Sequence, residues 1–148
     1  MLTGEDFAVL NEAYRGARAG QESINTVISK IYDEDLALDL NRQAVRFMAF
    51  ENRIADKLRE ENQRPSGVSR MERAKNWTAI QANTLTNTST EHMADMMIQG
   101  NAKAITELMR TVKKNQGAKR EYCELAEELM DFEEKNISKL KSYLRERP

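Results

Sequence analysis

The chain contains few residues of the kinds that break helices or form disulfides. Its 148 residues include two prolines, six glycines, one cysteine, one tryptophan and one histidine. A single cysteine excludes an intrachain disulfide, and the N-terminus has no signal-peptide pattern. No apolar run approaches the roughly 20 residues of a membrane-spanning helix. We therefore expect a soluble, cytoplasmic protein with no contact to a membrane.

The chain also lacks an excess of charge of either sign. Lysine and arginine number 23 against 24 aspartates and glutamates, which gives a formal net charge of -1. Proteins that bind nucleic acid need a basic surface to neutralise phosphates, and this composition does not supply one. We expect no nucleic-acid partner.

Four long segments carry apolar residues at helical spacing, and both prolines fall outside them. The pattern predicts helices over the following residues: 4–31, 34–62, 90–115 and 118–146. The connection over residues 63–89 contains Pro65 and a capping box, Ser69-x-x-Glu72, that predicts a short helix. With 40% apolar residues, the chain can bury one core. The sequence predicts a single all-α domain over residues 1–148.

The first two predicted helices match as an antiparallel hairpin. If the chain turns near residue 32, apolar seam residues at equal distances from the turn face each other. The facing pairs are Ile28–Leu36, Ile24–Leu40, Gln21–Gln43, Ala17–Phe47, Tyr14–Phe50 and Leu10–Ile54. This register places Gln21 and Gln43 in one layer, where we expect them to hydrogen-bond each other.

The last two predicted helices form a second antiparallel hairpin. Its facing pairs are Ile98–Asn136, Asn101–Phe132, Ile105–Leu129, Leu108–Leu125 and Val112–Tyr122. Four amides, Gln21, Gln43, Asn101 and Asn136, therefore lie on apolar seams at mid-height of the helices. Amides are poor metal ligands but can fix the register of a bundle. We interpret these four residues as a structural polar core layer.

The two hairpins resemble each other, since residues 47–51 (FMAFE) parallel residues 129–133 (LMDFE). Two similar hairpins joined by a long crossover are the layout of the ferritin-like bundle. Nearly the whole chain resembles ferritin-like proteins, and residues 83–86, 90–100 and 132–137 are similar to uncharacterised bacterial members of that fold. The resemblance implies a ferritin-like four-helix bundle from a bacterium, and it implies no activity.

Metal binding is the first function that this resemblance raises. Ferritin-like di-iron sites use a Glu-x-x-His motif on two of the four helices, because residues three apart share one helix face. Glu51 and Glu133 stand where the glutamates of such motifs would be. The residues three positions on are Ile54 and Asn136, so both histidines are missing.

An all-carboxylate site built from Glu22, Glu51, Glu107 and Glu133 is the alternative metal hypothesis. The hairpin register separates Glu22 from Glu51 by about 13 Å along the helix axis, and Glu107 from Glu133 by about 9 Å. Oxygen ligands must come within about 2 Å of a shared ion. We therefore expect solvated glutamates, no metal site and no cofactor.

His92 and Cys123 are the remaining candidates for chemistry. His92 opens the third long helix beside Met93, and such a set could bind Cu(I). We favour core packing instead, with Trp77 and Ile80 of the crossover helix covering the methionines. Cys123 and His92 lie near opposite ends of the second hairpin, so we expect no catalytic pair and no enzyme activity.

Ala13, Gly16 and Gly20 form a stripe of small residues on the first predicted helix. Such a stripe suits close packing of the crossover helix or the last helix, or else a homodimer seam or a shallow apolar site. We interpret the protein as a metal-free structural or protein-interaction module, with homo-oligomer formation left open. The alternative is a divergent ferritin-like metal-binding or oxidative protein.

Overall fold

A computed structural model of the chain describes residues 1–66 and 70–145, and this part of the chain is all-α, as predicted. Five helices follow in order: α1 Gly4–Val27, α2 Glu34–Glu60, α3 Arg70–Thr84, α4 Thr90–Lys114 and α5 Arg120–Lys141. A 3-10 turn over Ile28–Lys30 extends α1 toward the first bend. No strand occurs within the described ranges. Ser69, the predicted cap of α3, lies outside them.

Side-chain caps fix where the long helices begin. Thr3 and Asp6 form a reciprocal capping box at α1, with bonds of 3.0 and 3.1 Å. The Asp33 carboxylate accepts from the Leu36 backbone N–H at 3.0 Å and starts α2. These bonds satisfy backbone donors that have no partner inside the helix. At the other end of α2, Asn62 takes a left-handed conformation (φ 58°) that stops the helix.

The Asp6 carboxylate also joins α1 to α5. It accepts a second bond from the Lys119 backbone N–H at 2.7 Å, so the two helices start side by side. Burial of Asp6 opposes its ionisation, but the backbone hydrogen bonds from Thr3 and Lys119 outweigh burial and lower the pKa of the carboxyl. The first and last helices are therefore tied at one end of the molecule.

The helices pair mainly as α1 with α2 and α4 with α5, and α1 also packs along α4. The core lies between these helices. Every one of the following predicted seam residues is buried: Leu10, Ala17, Ile24, Leu36, Leu40, Phe47, Phe50, Ile54, Ile105, Leu108, Leu125 and Leu129. None of the helices that the structure describes combines the length and apolar character needed to cross a bilayer.

α3 packs against α1, and this differs from the predicted covering of the α4 methionines. Arg15 of α1 pairs with Glu72 at 2.9 Å, and Arg73 pairs with Glu22 of α1 at 2.5 Å. Residues 71–79 are exposed, and Trp77 is 56% exposed. The prediction of Trp77 as a core partner was wrong, whereas Ile80, the other predicted partner, is partly buried and packs against the core.

Candidate functional site

The four predicted amides of the polar layer are all buried. On the α4/α5 side, Asn136 donates its amide to the Asn101 carbonyl oxygen at 3.2 Å. Asn101 in turn donates to the Met97 backbone carbonyl one turn earlier at 2.7 Å. These two bonds satisfy much of the hydrogen-bonding capacity of two buried amides. This half of the layer ties α4 to α5 at a fixed register.

The other two amides do not bond each other, and the expected Gln21–Gln43 pair was wrong. With its amide nitrogen turned toward α2, Gln21 donates to both carboxylate oxygens of Glu51 at 3.1 and 2.5 Å. Helical side chains lean toward the N-terminus of their own helix. Side chains of α1 therefore lean away from the first bend, and side chains of α2 lean toward it. A residue of α1 then contacts a residue of α2 that lies farther from the bend than the residue level with it. Gln43 Oε1 has no hydrogen-bond partner in the described part of the chain.

Glu51 and Glu133, which were expected to be solvated, are buried at 5% and 1% exposure. Glu22 is half-buried and Glu107 is exposed. The expectation was wrong because α2 and α5 each contact more than one neighbouring helix. The buried part of each helix surface is therefore wider than a single line of seam residues. The sequence held a signal for this, since each glutamate directly follows a core phenylalanine in the repeated segment.

Arg18 of α1 joins two of these carboxylates. Its guanidinium donates to Glu22 at 2.9 Å and to Glu51 at 3.3 Å. Both carboxylates therefore lie beside one cation, although the backbone register separates Glu22 from Glu51 by about 13 Å. The predicted distance between the two carboxylates used only the positions of the backbone along the helix axis. It did not include the length and tilt of the side chains. Burial raises the pKa of Glu51, and the hydrogen bond and charge of Arg18 oppose that rise.

No cation of the described residues is paired with Glu133 in this way. Burial, with a smaller contribution from Glu134, raises the pKa of Glu133 to about 8. Its Oε1 atom has no hydrogen-bond partner among residues 1–66 and 70–145. At neutral pH the side chain is therefore mostly a neutral carboxylic acid held inside the helix bundle.

A groove of about 490 Å³ lies between α2 and α5. Its lining residues are Asp39, Arg42, Gln43, Arg46, Glu128, Asp131, Phe132, Lys135, Asn136 and Lys139. Phe132 packs edge-on against the Phe47 ring, with centroids 5.0 Å apart, and closes the groove toward the core. Two residues of the polar layer, Gln43 and Asn136, thus border a surface depression.

His92 and Cys123 take no part in these arrangements. At the start of α4, the His92 ring shares a 2.8 Å hydrogen bond with the backbone carbonyl of Asn83 in α3. Cys123 is half-buried, and burial raises the pKa of its thiol. No three His, Cys, Asp or Glu side chains converge as metal ligands within the described ranges.

No protein-family profile and no curated protein matches this sequence. Function must therefore be sought in the geometry.

Within the small-residue stripe, Gly20 packs against Phe47 of α2. A Cβ atom on Gly20 would lie 2.6 Å from the Phe47 ring of α2, so the ring occupies the space left by the missing side chain. Ala13 is buried, whereas a Cβ on Gly16 would meet nothing within 4 Å. Phe47 of α2, rather than the crossover helix or the last helix, packs at Gly20.

The outer face of α2 carries an uncharged stripe that sequence analysis missed. Leu38, Val45 and Met48 are 49%, 66% and 46% exposed. Asn41, Ala49 and Asn52 are exposed between and beside them, and the exposed Arg42 lies at one edge of this face, three residues before Val45. We call Leu38, Val45, Met48, Asn41, Ala49 and Asn52 the α2 outer stripe. In a chain with 32% charged residues, six uncharged exposed residues beside a single arginine make this helix face a candidate contact surface.

Proposed function

We propose that the protein is a ferritin-like four-helix bundle without iron chemistry, and that it acts as a structural and protein-interaction module. In this proposal α1, α2, α4 and α5 are the four bundle helices, and α3 belongs to the crossover. The pairing of α1 with α2 and of α4 with α5 supports that layout.

The arrangement around Arg18 supports a metal-independent bundle. The residues present do not fit a two-iron site, because the Glu51 carboxylate already accepts from Arg18 and from Gln21. A guanidinium beside Glu22 and Glu51 supplies the positive charge that a metal ion would otherwise bring. Asn136 stands where the motif would need a histidine, and its amide bonds Asn101.

The α2 outer stripe is the observation that carries the proposed interaction. It lies on the helix face opposite the buried residues Leu40 and Phe47, and from residue 38 to residue 52 it runs for about 21 Å. We propose that its partner is a second copy of this chain. Leu38 and Asn52 are equidistant in sequence from Val45, so a two-fold axis at Val45 brings the stripe onto itself and sets Met48 of one copy opposite Arg42 of the other.

The size of the stripe sets the expected strength of this contact. One helix pairing along about 21 Å covers less than the roughly 800 Å² per partner of a standard interface. A contact of this size is weak, so we expect dimers that form and dissociate with protein concentration. Truncating the central apolar side chain, or placing a charge there, removes the contact because each copy then buries a like charge.

Light scattering across a range of protein concentrations tests the proposal. The average mass should rise with concentration for the natural chain and stay at the monomer value for Val45→Glu. Met109→Glu is the matched control, because Met109 is similarly exposed (58%) but lies on α4. A natural chain that stays monomeric throughout, or a Val45→Glu variant that still associates, contradicts the proposal.

A second candidate, a divergent metal-binding protein, rests on Glu133. A buried carboxyl oxygen without a partner in the described residues is an unusual feature, and a hard cation is one way to satisfy it. Elemental analysis of the untagged protein separates the candidates. The favoured proposal predicts no stoichiometric iron, manganese or copper, whereas about one or two ions per chain supports the second candidate.

A further inference from the structure

The groove between α2 and α5 has a fixed register that places cations opposite cations. The two helices run antiparallel, since Tyr143 hydrogen-bonds Asp39 at one end and Arg53 forms bonds of 2.8 and 3.0 Å to Glu128 at the other. Stepping inward from these contacts, Arg42 on α2 is level with Lys139 on α5. One turn further, Arg46 is level with Lys135. We call these two levels the cation rungs.

The acidic residues of the groove do not neutralise the cation rungs. Glu128 is held by Arg53, and that pairing lowers the pKa of Glu128. Asp39 accepts from the Tyr143 hydroxyl, which leaves Asp131 as the third acid of the lining. In the part of the chain that the structure describes, no ion pair forms at either rung.

Four unpaired cations in one groove are a local departure from a chain whose net charge is -1. Like charges that face each other across a helix pair destabilise it. The Arg46 guanidinium lies 5.2 Å from the Phe132 ring centroid, and its charge helps Arg53 to lower the pKa of Glu128, but it forms no ion pair within the described residues. Such an arrangement lowers the stability of the free protein and suits an anion bound between the helices.

The floor of the groove adds an independent observation. Gln43 lies between the rungs, is 5% exposed, and its Oε1 atom is without a hydrogen-bond partner among the described residues. A buried amide oxygen left unpaired costs stability unless a donor reaches it. A hydroxyl or amide group of a ligand in the groove is such a donor.

We propose that this groove binds a small compound with two or more phosphoryl or carboxylate groups, held by the cation rungs and by Gln43. Arginine pairs with both kinds of group through parallel hydrogen bonds. The rungs are about 6 Å apart along the helices, so they engage neighbouring anionic groups of one molecule. A volume of about 490 Å³ lies within the usual range for small-ligand sites.

Calorimetric titration of the full-length protein with inorganic pyrophosphate and with citrate, at one ionic strength, tests the proposal. The natural chain should bind one or both saturably with one molecule per chain, and the stronger ligand identifies phosphoryl or carboxylate chemistry. Arg42→Gln combined with Lys139→Gln should weaken binding at least about tenfold. Lys103→Gln combined with Arg120→Gln is the control, since it removes the same charge from exposed sites outside the groove.

The unfolding temperature gives a second test, because the proposal predicts the direction in which the double substitution changes it. Without ligand, the Arg42→Gln and Lys139→Gln double variant should melt above the natural chain, because it removes repulsion across the groove. Pyrophosphate or citrate should raise the melting temperature of the natural chain and leave that of the double variant unchanged. The absence of saturable binding of either compound, or equal weakening in both double variants, overturns the proposal. Val45→Ala truncates the centre of the α2 outer stripe without adding a charge three residues from Arg42, so its titration separates this site from the proposed dimer.

Discussion

Glu51 on α2 is buried against Arg18 on α1, with its carboxylate 3.3 Å from the guanidinium. The same guanidinium reaches Glu22, which also pairs with Arg73, whereas the described ion pairs of Glu51 are with Arg18 alone. A buried ion pair contributes little net stability, but removing one member leaves the other charge uncompensated. The Arg18–Glu51 pair is therefore a point where a single substitution should have a large effect.

Arg18→Met is expected to destabilise the protein by about 1–3 kcal/mol, less than the roughly 3–5 kcal/mol for a fully buried pair, because Arg18 is partly exposed. Urea unfolding at neutral pH measures the change. Adding Glu51→Gln to Arg18→Met should recover much of the loss, since the buried charge is then gone. Arg59→Met is the control, because Arg59 makes an exposed pair with Asp56 that contributes little. Equal losses in the two single variants would argue against a special role for Arg18.

Glu133 predicts how stability depends on pH. Its pKa is about 8 in the folded protein and near the ordinary 4.5 when unfolded, so the folded state holds one more proton between these values. The contribution of Glu133 is fully present below about pH 4.5 and is lost as the pH rises toward 8, at about 1.4 kcal/mol per unit. Glu133→Gln should flatten this part of the pH profile and stabilise the protein above pH 8. Glu127→Gln, at an exposed position of the same helix, is the control, and an unchanged slope in Glu133→Gln would contradict the burial argument.

The two glutamines of the first hairpin should respond differently to leucine. Gln21→Leu removes a donor from the buried Glu51 carboxylate and is expected to destabilise by about 1–3 kcal/mol. Gln43→Leu should cost little or stabilise, because its oxygen has no partner in the described chain. Since the two amides do not bond each other, their effects on the free energy of unfolding should add. A double-variant cycle with coupling well above about 0.5 kcal/mol would restore the direct pair that the sequence predicted.

Two glycines of α1 provide a matched test of packing. Gly20→Ala places a methyl group against the Phe47 ring and should destabilise by about 1–3 kcal/mol. Gly16→Ala meets no atom within 4 Å and should stabilise by about 0.4–1 kcal/mol, because alanine favours the helix and restricts the unfolded chain. Thermal unfolding of both variants measures the contrast. The same sign for both would mean that α1 packs against α2 differently.

Sequence reasoning predicted the features that depend on one helix at a time. The apolar period placed Leu10, Ile24 and Ile54 in the core. These features follow from spacing along a single segment, which the sequence contains directly.

Features that depend on how two helices meet were not predicted. Gln21 reaches Glu51 instead of Gln43 because side chains lean along the helix, and backbone register does not include that lean. Glu133 is buried because α5 has several neighbours, and a one-seam pattern cannot show how wide the buried arc is. The α2/α5 groove depends on the separation of two helices that are distant in sequence, and no residue spacing reports it.

Native mass spectrometry of the untagged protein, as purified, tests the central claim most directly because it reads assembly and metal content together. A metal-independent, self-associating bundle predicts a species at the apoprotein mass of 17.0 kDa and a second at twice that mass, which grows with concentration and is absent in Val45→Glu. A chain that carries about two first-row metal ions, or one that shows only monomer at every concentration, would contradict it.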